Sequence, residues 1–372
     1  MRIILFIGHH KVGSTSLQDF LSRNSVALAQ SGILYPSVDF EGLSLMLSAA
    51  MGKFAPSHEP LPINAREPHN ALAFKMLAEF RKGKVPPFHK GLPSSIQMFR
   101  AIHKQIEFLK PDTLVLAAEV FANFAPTSPD LIVRLRDAFP DADFTVVATL
   151  RRIDEYLASW HGQRLKFNHS PPPLRAGGLQ EYFDNIHFDY RLMLKGWTDN
   201  MPDARFVLRD YTDVRQAGGS VADFVTQTGL KLPSGLLEEQ KTNESLHRGI
   251  YEIARQGNKA LRPALSGKLR HTLRELTPEL NLPASGDIEL FGPENRQIMH
   301  DRFDPIHAYL ERVSDTSPFF ADQAAVRQIR PIPELDVFKL AVERVREQTE
   351  KFEDPEVRGF LNSLKAGSWA EA

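Results

Sequence analysis

The sequence predicts an α/β fold, a doubly wound parallel sheet with helical insertions and a helical C-terminal region. Three observations predict it. Four short apolar runs, at 2–7, 113–117, 143–149 and 205–208, have the length and composition of buried strands. Each is followed by a polar turn and then a helical pattern, the order that places parallel strands side by side with helices between them. From about residue 235 onward the pattern is nearly all helical, with no run suited to the centre of a sheet.

The first run, Ile3-Ile4-Leu5-Phe6-Ile7, is too short for a signal-peptide core or a membrane span and reads as a buried strand. With no other export signal in view, the cytoplasm is the expected compartment. The helix that follows starts near Ser14 and ends before Gly32, with Leu17, Phe20, Leu21 and Leu28 on its apolar face. Residues 40–110 interrupt the alternation. Pro56, Pro60, Pro62, Pro86, Pro87 and Pro93 are expected to break this stretch into short helices and loops, and the basic piece Arg81-Lys82-Gly83-Lys84 lies inside it. An insertion between the first two core strands would cover the C-terminal ends of the strands, where ligands bind in open α/β sheets. A second break is Pro171-Pro172-Pro173 with Gly177-Gly178. The expected organisation is an α/β core over 1–235 with an insertion at about 40–110, and a helical region over 236–372 that completes the same domain.

The composition is that of an ordinary globular chain. Of 372 residues, 42% are hydrophobic and 24% charged, and the formal net charge is −1, so no global field points to nucleic acid or membrane. There is no cysteine, which removes disulfides, thiol catalysis and thiolate metal sites together.

Gly8-His9-His10-Lys11-Val12-Gly13-Ser14-Thr15-Ser16 joins the first strand to the first helix. A strand, a glycine-containing turn and a helix present backbone N–H groups and the positive helix end to an anion. Gly13 permits close approach, Ser14, Thr15 and Ser16 offer hydroxyls, and Lys11 a full positive charge. Gly8 and Gly13 have the spacing of the nucleoside triphosphatase loop, but position 14 is Ser where that loop needs Lys. The alternative is a glycine-containing turn with no ligand.

With its lysine three residues earlier, Lys11-Val12-Gly13-Ser14-Thr15 resembles the 5′-phosphosulfate loop of sulfotransferases, Lys-x-Gly-Ser/Thr-Thr. The flanking residues, from His9 to Gln18 and then Gly32-Ile33-Leu34-Tyr35-Pro36, look like bacterial members of that family. Downstream, Arg151 ends an apolar run and Ser159 follows eight residues on, which resembles the family's Arg-x7-Ser motif for a 3′-phosphate. An Arg is a forked, permanently charged donor and Ser a short neutral one. Taken alone, Arg151-Arg152 reads equally as a solvated pair at a helix start. The two motifs together are much less common by accident than either one.

The resemblance implies a P-loop-type sheet and transfer of a sulfuryl group from 3′-phosphoadenosine 5′-phosphosulfate (PAPS) to an acceptor hydroxyl, on a carbohydrate or small alcohol, with no metal. Lys11, Val12, Gly13, Ser14, Thr15, Ser16, Arg151 and Ser159 would bind the donor. Lys11 would also stabilise the leaving oxygen. Tyr211, after the run 205–208, stands where the family often places an adenine contact, and a core tyrosine is the equal alternative. Lys241, in Lys241-Thr242-Asn243-Glu244-Ser245, resembles a C-terminal cofactor loop. The Gly-x-x-Gly-x-Trp-Lys motif of animal cytosolic sulfotransferases is absent.

Sulfuryl transfer to an alcohol needs a base for the hydroxyl proton. Glu119, in Ala117-Ala118-Glu119, follows an apolar run, and burial is expected to raise its pKa and strengthen it as a base. A helix N-terminal carboxylate is the alternative. His10 is the rival base. Residues 241–274 hold eight Lys/Arg against Glu244 and Glu252, either a ligand-facing patch or a solvated helical face. Two other functions fit the same residues: a P-loop nucleotide kinase, and a non-catalytic sulfonucleotide-binding protein.

Overall fold

The computed structural model describes residues 1–55, 60–239 and 245–364. In chain order, β1 (Arg2–Phe6) leads to α1 (Ser14–Arg23), α2 (Ser25–Gln30) and β2 (Ile33–Leu34). Four helices follow: α3 (Phe40–Ala50), α4 (Ile63–Arg66), α5 (Pro68–Arg81) and α6 (Ser95–Leu109). Then come β3 (Thr113–Ala117), a 3₁₀ turn at Glu119–Asn123, α7 (Phe124–Thr127), α8 (Asp130–Asp137), β4 (Asp143–Leu150) and α9 (Ile153–Lys166). Helix α10 (Tyr190–Asn200), β5 (Arg205–Asp210), α11 (Tyr211–Gln216) and α12 (Ser220–Thr228) close the sheet region. The remainder holds α13 (Tyr251–Ala260), α14 (Pro263–Leu276), β6 (Ile288–Glu289), α15 (Pro293–Ser314), β7 (Ile332–Pro333), α16 (Glu334–Glu347) and α17 (Pro355–Ser363).

The chain divides into two compact units. One comprises 1–152, 189–242 and 305–321, the other 153–188, 243–304 and 322–372. Among the described residues, no helix is long and apolar enough to cross a membrane.

The first unit is α/β. Its five strands run parallel in the order β2-β3-β1-β4-β5. Ile3, Ile4 and Leu5 are fully buried, as a central strand covered on both faces requires. Ile4 pairs with Val115 on one side and Thr145 on the other. Strand β1 is therefore central, and the strand order reverses around it. That reversal opens the crevice where such sheets take ligands. On one face Ile4, Phe6, Val115, Ala117, Val147 and Val207 form a core with Leu17, Phe20 and Leu21 of α1 and Phe224 of α12.

The four predicted strands are all present, and Ile33–Leu34 adds a fifth at the edge. The predicted single helix over 14–31 is two helices. Asn24 divides them: its side-chain amide donates to the Phe20 carbonyl at 2.9 Å, and it exchanges hydrogen bonds with the Leu237 backbone at 3.1 and 2.8 Å. The insertion is more regular than its prolines suggest. Pro68 opens the fourteen-residue α5, where its missing N–H costs nothing, and Pro86, Pro87 and Pro93 fall between α5 and α6. The start of α5 covers the end of β3. His69 accepts the Ala117 N–H at 3.1 Å and Asn70 the Val120 N–H at 3.3 Å.

The second unit is helical, with one short parallel pairing of β6 and β7. It buries charge extensively. Arg296 joins Glu289 at 2.7 Å and Asp154 at 3.5 Å, and Arg255 pairs with Glu252 at 2.6 Å.

Candidate functional site

The loop after β1 extends the sheet's hydrogen bonding beyond the strand. The Phe6 carbonyl takes the Ala118 N–H at 2.9 Å, the His9 N–H reaches Thr149 at 2.8 Å, and the Thr149 N–H returns to Gly8 at 2.8 Å. Both flanking strand ends thus hold the loop. It turns through left-handed conformations at Gly8, Lys11 and Gly13, with φ of 91°, 62° and 81°. A Cβ on Gly8 would stand 3.1 Å from the Glu119 Cα, and one on Gly13 would stand 2.1 Å from Ser220 Oγ. Glycine is needed at 13 on both counts, conformation and space. Lys11 holds the strained conformation without being glycine, a cost that recurs at functional loops.

Helix α1 begins directly after Gly13, with no side-chain cap and no acidic residue in its first turn. A helix start of this kind carries partial positive charge, which favours an anion beside it. Val12 is in the core, so it has only its backbone to offer a ligand. Ser14 is buried, and Thr15 and Ser16 are half-buried.

The two candidate bases lie beside each other. Ser14 Oγ donates to Glu119 Oε2, and His10 Nδ1 is 3.4 Å from Glu119 Oε1. Glu119 opens the 3₁₀ turn after β3, so it is at once the helix-start carboxylate and a partner of the loop. Burial pushes its carboxyl up, but the His10 hydrogen bond and charge, the Ser14 hydrogen bond and the Lys11 charge bring it below the ordinary value. The expected rise is overturned, because those partners stabilise the ionised form. Burial also pulls Lys11 below its ordinary value; Glu119 works against that shift and Arg151 adds to it.

Arg151 leaves the end of β4. Tyr190 donates its hydroxyl to the Arg151 carbonyl at 2.7 Å, and the guanidinium stands 5.5 Å from the centre of the Tyr211 ring. Tyr211 starts α11 on the Asp210 cap, packs partly on the core and comes near Gly13. Lys11, Glu119, Arg151 and Tyr211 therefore gather around one loop. No family model, curated protein or solved structure matches the chain.

Ser159 is a half-buried residue two turns into α9, in the second unit, whereas Arg151 belongs to the first. Lys241 lies outside the described residues. Arg152 is buried. The basic run 241–274 is not a single patch. Arg248 pairs with Glu155 at 2.8 Å and Arg255 with Glu252, while Arg270 binds Asn168 and Ser266.

Ser220 is a site residue that the sequence reading missed. It opens α12 and donates to the Val12 carbonyl at 3.3 Å, bracing the loop beside Gly13. The signal was available in Gly218-Gly219-Ser220, two glycines of positive φ before a helix start.

Proposed function

We propose that the first unit binds PAPS and transfers its sulfuryl group to an acceptor hydroxyl. The observation that carries this reading is the loop after β1: it turns through left-handed Gly8, Lys11 and Gly13 into the start of α1, and the Arg151 guanidinium stands over the Tyr211 ring, which also comes near Gly13. Two neighbouring cations with Glu119 as the nearby carboxylate favour a polyanion between them. The loop amides, the first turn of α1 and Lys11 are assigned to the 5′-phosphosulfate. Arg151 is assigned to the 3′-phosphate and the Tyr211 face to adenine.

In the transfer, the acceptor oxygen forms a bond to sulfur as the bond from sulfur to the 5′-phosphate oxygen breaks. Adenosine 3′,5′-bisphosphate leaves, and Lys11 meets the charge that develops on the leaving oxygen. The acceptor proton goes to the Glu119–His10 pair. Glu119, held ionised by its partners, is a weaker base than a buried carboxylate without them would be, and His10 Nδ1 stands 3.4 Å from it to share the proton.

Calorimetry with adenosine 3′,5′-bisphosphate in the presence of chelator tests the binding. Transfer of labelled sulfate from PAPS to a panel of glycans and alcohols tests the reaction. Binding without transfer to any member would leave a sulfonucleotide-binding protein.

One observation favours a second reading. A loop hydroxyl together with a carboxylate at the end of a neighbouring strand is the pair with which nucleoside triphosphatases hold Mg²⁺. Ser14 and Glu119 form such a pair. Binding of ATP with Mg²⁺, with no binding of the bisphosphate in chelator, would establish the kinase-like reading.

A further inference from the structure

Helix α3 is apolar on more than one side: Leu45, Met46 and Ala49 line a cavity with Tyr35 and Leu61, while a further apolar stripe faces water. Only Gly42 among its eleven residues is buried. Phe40, Leu47 and Met51, spaced by seven and four, share one helical stripe and are 83%, 62% and 57% exposed. Core-facing helices place such a stripe inward, and an exposed one marks a surface for a partner.

A second patch follows α5. Residues 80–90, Phe-Arg-Lys-Gly-Lys-Val-Pro-Pro-Phe-His-Lys, carry four Lys/Arg and no acid. Phe80, Arg81, Lys82, Lys84, Phe88 and Lys90 are all exposed. Phe88 is fixed edge-on against Phe74, with ring centres 6.3 Å apart, yet remains 49% exposed. Among the described residues, Lys53, Lys82, Lys84 and Lys90 form no salt bridge. The nearest acid on the helix, Glu79, is already engaged by the Ser95 N–H at 3.0 Å, Lys75 at 3.7 Å and Arg134 at 3.9 Å. Both patches rest on α4. Helix α3 packs against it, and Asn64 of α4 donates to the Lys90 carbonyl at 3.0 Å and meets the His89 ring at 2.8 Å.

We propose that α3 and the 80–90 segment dock the protein on an anionic lipid bilayer. The stripe of Phe40, Leu47 and Met51 enters the boundary between headgroups and acyl chains, with Phe88 as a further apolar anchor. The lysines meet lipid phosphates, which answers their unbalanced charge. Nucleic acid would answer the cations but leave the apolar stripe of Phe40, Leu47 and Met51 in water. The near-zero net charge of the whole chain does not oppose this, because the attraction is local and acts within a Debye length.

The test is flotation of the full chain with vesicles of phosphatidylcholine alone and with phosphatidylglycerol admixed. Binding is expected to the mixed vesicles and to fall in high salt. Each cation near an anionic surface contributes about 1 kcal/mol, so K82E/K84E/K90E should weaken binding by about a hundredfold or more. F40S/L47S should weaken it by about tenfold or more. All five residues are exposed, so both variants should melt with the wild type, which separates lost docking from lost folding. Absence of binding, equal binding to both vesicle types, or undiminished binding by the charge-reversed variant would overturn the proposal. So would retention of duplex DNA in place of vesicles, or a dimer that F40S/L47S dissociates while vesicle binding is unchanged.

Discussion

Glu119 and Glu334 are both carboxylates withdrawn from water, and the protein moves them in opposite directions. Glu119, in the first unit, has a side chain 27% exposed that takes a hydrogen bond from Ser14 and approaches His10, and it is held below its ordinary pKa. Glu334, in the second unit, is 7% exposed, and its Oε2 finds no hydrogen-bond partner. Burial raises it to about 8, against the pull of Arg175 and Arg255 and with the help of Glu252 and Glu289. The difference lies in the partners. At Glu119 the hydrogen bonds and nearby positive charge outweigh burial, whereas at Glu334 burial and two neighbouring acids outweigh the pull of Arg175 and Arg255 and favour the neutral acid. Burial by itself therefore does not identify a catalytic base.

The sharpest way to break this comparison is Glu119→Gln, which keeps the shape and removes the charge. Turnover is expected to fall by about 10²–10⁴-fold. Affinity for adenosine 3′,5′-bisphosphate should change little, because Gln can still accept from Ser14. Near wild-type turnover would remove Glu119 from the chemistry. The acid limb is a second readout. A carboxyl depressed in the folded state contributes stability that is lost as pH falls through its lowered pKa, so the variant's stability should decline less in acid.

Gly13→Ala probes the loop to which Glu119 is bound. The added Cβ meets Ser220 Oγ, and the backbone must keep a φ of 81°. A loss of about 2–4 kcal/mol in urea unfolding is expected. Ser220→Ala in the same chain should restore only part of it, because the conformational strain remains. Complete restoration would show that space alone requires glycine there.

Arg151→Ala tests whether the paired charges serve a ligand. Affinity for adenosine 3′,5′-bisphosphate should drop about ten- to a hundredfold. Affinity for the 5′-monophosphate should hold, and an equal loss for both ligands would move Arg151 away from the 3′-phosphate.

Glu334→Gln probes the other side of the comparison. A carboxyl whose folded pKa is raised to about 8 favours the fold while protonated. Wild-type stability should therefore decline as pH rises from the ordinary carboxylate range through about 8. The variant should lack that decline and melt roughly 5 °C higher on the alkaline side. Identical melting profiles across that range would mean that Glu334 is ionised in the fold.

The sheet was legible because buried parallel strands are continuous apolar runs, and 113–117 could be read directly from Thr113-Leu114-Val115-Leu116-Ala117. Ile33–Leu34 was not, since two residues carry no period. Helix α1 looked continuous because its break depends on Asn24 and Leu237, which are far apart in sequence. In the site, spacing alone located the glycine turn and Arg151. The direction of the Glu119 shift needed the His10 and Ser14 contacts, which join the loop after β1 to the end of β3 and leave no mark in either segment. The interleaving of 153–188 with later helices is likewise a matter of distant contacts.

The central place of β1 has a consequence for synthesis. Strand β1, Arg2–Phe6, is made before both of its partners in the sheet, residues 113–117 and 143–147. At about 5–20 residues per second the ribosome takes on the order of ten seconds to supply the first partner. Throughout that time an apolar segment with open hydrogen-bonding edges trails from the nascent chain, a substrate for chaperones or for aggregation. Nascent chains arrested before residue 113 emerges should be cleaved by protease near β1, and chains arrested after β4 has emerged should resist.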